Sequence, residues 1–190
     1  EVGFRHLCEL ENLRQLDVPQ NPITDPGLQS IVKLRELRWL DMSATLVTDA
    51  GVAHLNRLDD LRVIVLNETA ITDAAVETLA SNKKLTRVEL EGTRITNDAV
   101  RMLAPLPKLG DTLNLRDTAL DDGCVPYFEF IRLRPSIDLR GTKISKEGMQ
   151  RIRKLLPGEA RLRNDHGIPI VDHPRAEEEG RRRREARRRN

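Results

Sequence analysis

The chain has 190 residues, 33% of them charged and 38% hydrophobic, with a formal net charge of +2 and few aromatics (three Phe, one Trp, one Tyr). That length fits one domain, and no run of about 18 apolar residues is present, so no membrane span is expected. There is no CxxC pair, no Gly-rich phosphate loop and no Ser-His-Asp arrangement in a recognisable context, so the chain is read as no enzyme, with no catalytic residue and no cofactor.

In chain order, GFRHLCEL at 3–10 opens with a helical pattern. Phe4, Leu7 and Leu10 fall where Leu28, Ile31 and Leu34 fall later. The chain thus starts in mid-unit, as a fragment or a processed remainder would. From there one pattern recurs. Ile23, Val47, Ile71, Ile95, Leu120 and Ile144 are spaced 24, 24, 24, 25 and 24 residues apart. Two residues before each sits Asn21, Thr45, Thr69, Thr93, Thr118 or Thr142, and Thr-Asp or a close equivalent follows. A fixed period of this size means stacked units that bury their apolar faces against one another.

Each unit reads as a strand, a polar turn and a short helix. Leu40 and Met42 alternate with Trp39, Asp41 and Ser43, the period-two sign of a strand with one buried face. Thr48 is expected to cap the next helix and Asp49 to sit at the positive end of its dipole. Val52, Leu55 and Leu58 form the inward stripe. The Thr column is expected to bond the backbone of its own turn and the next. Near the end, Pro126 falls in the first turn of a segment holding Tyr127, Phe128 and Phe130, which is read as a cap. Pro157 and Gly158 stop the last helix.

The segments LRWLDMSATLVTDAGVAHL and LTRVELEGTRITNDAVRML resemble the leucine-rich repeat family, in the Thr-bearing form found in bacterial proteins such as those of planctomycetes. The resemblance covers about residues 3–156. It implies an α/β fold: a right-handed solenoid with a parallel sheet on its concave face and short helices on its convex face. Three regions are expected: a solenoid over 1–160, an extended segment over 161–173, and an Arg/Glu-rich tail over 174–190 that is either disordered or a solvated helix.

The outward strand positions make the concave face. Trp39, Val63 and Val65 are apolar where exposure is expected, and form a candidate anchor. Asp41, Glu89 and Glu91 make the proximal part acidic, Arg87 lies beside them, and Arg116 and Arg140 make the distal end basic. Exposed Trp and Arg dominate interface energies, so these nine residues are the candidate contacts with another protein. The alternative lies in the tail, where Arg181, Arg182, Arg183, Arg184, Arg187, Arg188 and Arg189 would bind nucleic acid or an anionic surface. A third reading makes the repeats the recognition arm of a larger enzyme or ligase-type protein. The chain is expected to be a monomer. Cys8 and Cys124 lie about five turns apart, about 24 Å and far outside disulfide reach, and free thiols favour the cytoplasm weakly. Asp165, His166, Asp172 and His173 form two Asp-His pairs, but their spacing matches no helix face and no metal is expected.

Overall fold

Seven short parallel strands stack in sequence order into one open sheet, each paired with the next: β1 Gln15–Asp17, β2 Trp39–Asp41, β3 Val63–Val65, β4 Arg87–Glu89, β5 Thr112–Asn114, β6 Ser136–Asp138 and β7 Arg161–Arg163. The computed structural model describes residues 2–158 and 160–167. The register is in step throughout: Leu16, Leu40, Ile64, Val88, Leu113, Ile137 and Leu162 are successive partners, and all are buried. Parallel neighbours require a crossover between every pair. β7 belongs to this sheet, so the ladder runs three residues past position 160 into the segment read as merely extended.

α1 Val2–Leu7 precedes β1, and the crossovers carry α2 Asp25–Leu28, α3 Asp49–Val52, α4 Asp73–Ala80, α5 Asn97–Leu103 and α6 Lys146–Leu155. After α2 and α3 the chain tightens into 3₁₀ helix at Gln29–Lys33 and Ala53–Arg57, and Asp122–Phe130 is 3₁₀ throughout. Val52, Leu55 and Leu58 span the second of these segments. Residues three apart eclipse on a 3₁₀ helix, so all three point into the core. Pro126 is the fifth residue of its helix rather than in the first turn, because the helix already begins at Asp122 under an Asp121 cap. Within that unit Phe128 is wholly buried, while Phe130 stays largely exposed. At the open proximal end Phe4 and Cys8 face inward, whereas Leu7 and Leu10 are exposed. The latter two match Ile31 and Leu34 in register but have no preceding turn among the described residues to cover them.

Three columns of repeated hydrogen bonds brace the solenoid, the first within each turn and the other two between neighbouring turns. In the first, the Thr hydroxyls of Thr45, Thr69, Thr93, Thr118 and Thr142 each donate to the carbonyl three residues back in their own turn, at 2.6–2.7 Å. The expected bond within the turn is present, but the expected second bond to the next turn is not. That short loop uses the hydroxyl's single proton.

The second column does cross between turns. Asp25 accepts from the Thr48 backbone N–H and hydroxyl at 2.7 and 2.6 Å. Asp49 repeats this on Thr72, Asp73 on Thr96 and Asp122 on Ser145. Each carboxylate thus does more than meet its own helix dipole: it fixes the cap of the following turn. Gly51 and Gly148 make room for this. A Cβ at Gly51 would lie 2.4 Å from Asp25 Oδ1, and one at Gly148 would lie 2.2 Å from Asp122 Oδ1. Between α5 and the next unit the polarity inverts: Asn97 Nδ2 donates to Asp121 Oδ1 and Asn97 Oδ1 accepts from the Asp121 N–H.

The third column is left-handed backbone. Gln20, Ala44, Glu68, Gly92, Asp117 and Gly141 have φ between 52° and 69°. The first five turn their N–H groups onto the carbonyls of Ser43, Asn67, Glu91, Arg116 and Arg140 in the next turn. At Gly141 the acceptor is the Asp165 carboxylate, at 2.6 Å.

Candidate functional site

The strand residues that face away from the helices lie in three columns across the concave face, and these hold every candidate on the solenoid body. Trp39 is half-buried on β2, and the Arg87 guanidinium of β4 stands over its ring, 5.1 Å from the centroid. This geometry is a cation–π contact. The Trp39 Nε1–H is shielded from solvent and finds no acceptor among the described residues. Buried polar groups are normally satisfied, and leaving one open costs about 1–3 kcal/mol. Val63 is half-buried beside Trp39 in register.

Val65 departs from expectation: it is only 4% exposed. Its strand lies between β2 and β4, whose outward neighbours in register are Asp41 and Glu89. A short valine between longer side chains lies at the floor of the face, so Val65 supports the patch rather than projecting from it.

The charged candidates are largely paired with one another. Arg87 Nε donates to Glu89 Oε1 at 2.6 Å, and Asn67 Nδ2 donates to Glu89 Oε2 at 3.2 Å. Glu91 takes Asn114 Nδ2 at 3.0 Å and lies 3.6 Å from Arg116, which also meets Asp117 at 2.9 Å. Asp41 accepts the N–H and hydroxyl of Ser43 at 2.9 and 2.7 Å. At the distal end Arg140 clasps Asp138 through Nε and Nη2, at 2.6–3.2 Å. Burial pushes the Asp138 carboxyl up, but hydrogen bonds from the Arg140 side chain and backbone and the charges of Arg140 and Arg163 outweigh it and hold it below its usual range.

Asn67, Asn114 and Asp138, which were not among the sequence candidates, stand in the same three columns as their partners. Sequence reasoning missed Arg161 and Arg163, which extend the distal basic surface on β7 and are exposed. Their signal was the outward-inward-outward pattern Arg-Leu-Arg at the repeat spacing. The tail candidates Arg181 to Arg184 and Arg187 to Arg189 lie outside the described residues. Asp165 bonds the Gly141 N–H, and His166 Nε2 lies 2.9 Å from the Ile144 carbonyl oxygen. Both are thus engaged with the preceding turn, while Asp172 and His173 lie outside the described residues. No group of three or more metal-ligating side chains comes together among the described residues. No described helix is long and apolar enough to cross a membrane.

Residues 9–32 match the family model described as Leucine Rich repeat. Among solved structures, an internalin from Listeria monocytogenes superposes with a TM-score of 0.62 at 18% identity, over 86% of this chain and 51% of its own. A plant peptide hormone receptor, RGFR1 in complex with RGF2, superposes with a TM-score of 0.58 at 12% identity, over 91% of this chain and 32% of its own. The chain folds as a leucine-rich repeat solenoid. At such identities the likeness is one of fold, and the solenoid spans about half of the internalin and about a third of the receptor. A search of curated proteins gives no match.

The two thiols of the solenoid take no part in the concave face. Both are free and buried, and burial raises Cys8 to about 11 and Cys124 to about 12. Neither forms thiolate at neutral pH, and the thiolate is the reactive form. Alkylation at neutral pH is expected to be negligible in the folded chain and to become complete at both sites in denaturant. Fast labelling of either thiol without denaturant would contradict the packing.

Proposed function

We propose that this solenoid is a non-catalytic protein-binding module whose concave face receives an extended segment of its partner. The observation that carries the reading is the proximal patch: Trp39 and Val63, half-buried and adjacent in register, with Arg87 stacked on the indole and carboxylates on either side. An aromatic anchor with an unpaired N–H, ringed by polar groups that exclude water, has the composition of an interface hot spot. A receptor of this fold has been solved with RGF2 bound, which supports the use of such a scaffold for peptide recognition. Asp41, Glu89 and Glu91 favour a cationic segment there, while Arg116 and Arg140 fix its direction. Because the charged side chains are already paired, they contribute specificity and encounter rate more than affinity.

The test is capture of partners from the source cell's lysate by the full chain and by Trp39→Ala, with affinity then measured for each partner recovered. Loss of about 2 kcal/mol, roughly thirtyfold in Kd, is expected for the variant. The variant must melt with the wild type. Unchanged affinity for every partner would remove the concave anchor. Partners lost instead on truncation at Asp172, and sensitive to nuclease, would move the function to the Arg-rich tail.

A further inference from the structure

The charges on the concave face are sorted along the solenoid axis. Outward from β1 to β4, with the column just after the strands, four carboxylates (Asp17, Asp41, Glu89, Glu91) stand against one cation, Arg87. From β5 to β7 the outward guanidiniums of Arg116, Arg140, Arg161 and Arg163 stand against Asp138 and Asp165. The face is therefore negative at its proximal end and positive at its distal end. Residues 174–190, PRAEEEGRRRREARRRN, are sorted too. Three consecutive glutamates come first, and two runs of arginine follow. The last strand among the described residues, β7, lies at the basic end.

We infer that the C-terminal tail is an intramolecular ligand of the concave face, with Glu177–Glu179 against the distal arginines and the Arg181–Arg184 and Arg187–Arg189 runs against the proximal carboxylates. This rests on the reading of that face as the binding face and names what regulates it: an incoming partner competes with the tail. The order of charges matches only when the tail runs from β7 toward β1.

The lengths agree as well. Fifteen residues separate Arg163 from Glu178, about 50 Å of extended chain, ample for a reversal over the distal edge. The ten residues from Glu178 to Arg188 extend to about 33 Å, against about 24 Å for the five strand spacings from β6 to β1. Ala186 then falls near β2. The tail has no large apolar side chain, so the contact is electrostatic and weak per group. Covalent attachment compensates by raising the local tail concentration to the millimolar range. Backbone carbonyls of a chain lying there also offer the unpaired Trp39 Nε1–H an acceptor.

Trp39 is the only tryptophan, so it can report the contact directly. The full chain carrying Ala186→Cys is labelled with bimane, whose emission tryptophan quenches on contact, while buried Cys8 and Cys124 stay unlabelled. Emission is expected to rise several-fold on Trp39→Phe, on reversing the exposed Asp17 together with Asp41 to Lys, and in about 0.5 M salt, where screening shortens to a few ångströms. It should not change on roughly hundredfold dilution. A thermal melt of each variant separates lost contact from lost fold. Emission equal in the parent and in Trp39→Phe overturns the inference, and overturns it alone if partner affinity still depends on Trp39. Quenching that fades on dilution places the tail on a second copy and overturns the intramolecular contact. Quenching that ignores salt and the Asp reversals overturns the charge-matching argument.

Discussion

Phe128→Ala is expected to lower the unfolding free energy by about 3–5 kcal/mol, the largest effect of any single truncation in this chain. Phe128 is the largest wholly buried side chain and sits in the 3₁₀ helix between α5 and α6. It has no exposed part, so its removal costs the full transfer energy of the ring plus the void left behind. The void will not collapse easily, since the backbone on either side is pinned by cross-turn hydrogen bonds. Stacked repeats are coupled mainly to nearest neighbours, so the damage stays local. Urea unfolding should then lose its single transition: Cys124 becomes reactive before the Trp39 environment changes. Coincident transitions with a loss under about 1 kcal/mol would show that this unit is not closely packed.

Asp49→Ala is expected to cost about 2–4 kcal/mol, an unusual amount for a half-exposed residue. Its carboxylate accepts three bonds from the next turn: the Thr72 N–H at 2.7 Å, the Thr72 hydroxyl at 2.7 Å and the Ala75 N–H at 3.2 Å. Bonds to an ionised acceptor contribute more than neutral ones, and two of the donors are backbone groups at a helix N-terminus, the Ala75 N–H being shared with the Thr72 carbonyl. Asp49→Asn keeps one carbonyl acceptor and should recover about half of the loss. A helix-dipole role alone would give about 0.3–1 kcal/mol, so the urea midpoint of the Ala variant separates the two accounts.

The fold was legible because period and register are the same information here. A spacing of 24 or 25 residues places Leu40 beside Ile64 and Ile64 beside Val88 before any coordinates exist. Local features were legible where one residue type has one use, as with the Thr48 cap or the stop at Pro157. The inter-turn carboxylate ladder was not read, because Asp in a first helical turn is also what a helix dipole favours, and the two uses look alike in one unit. The break at Asn97 and Asp121 held the clue. Where Thr gives way to Asp, the preceding Asp has become Asn, which keeps a donor facing an acceptor.

The candidate face was legible as columns but not as relief. Alternation says which way Val65 points; it does not say that Asp41 and Glu89 stand above it. Nor does it say that Glu89 and Arg87 would satisfy each other instead of waiting for a partner. Those outcomes depend on side-chain length and cross-strand reach, which a one-dimensional pattern does not carry.

The carboxylate ladder also determines how the molecule bears load. Every link in it joins one turn to the next and no further, so a pull on the two ends is carried in series through identical junctions. Such an array gives way at its weakest junction and then at the next, as a zip does. The inverted Asn97–Asp121 junction, the one in which no hydroxyl takes part, is then the natural place for the first to open.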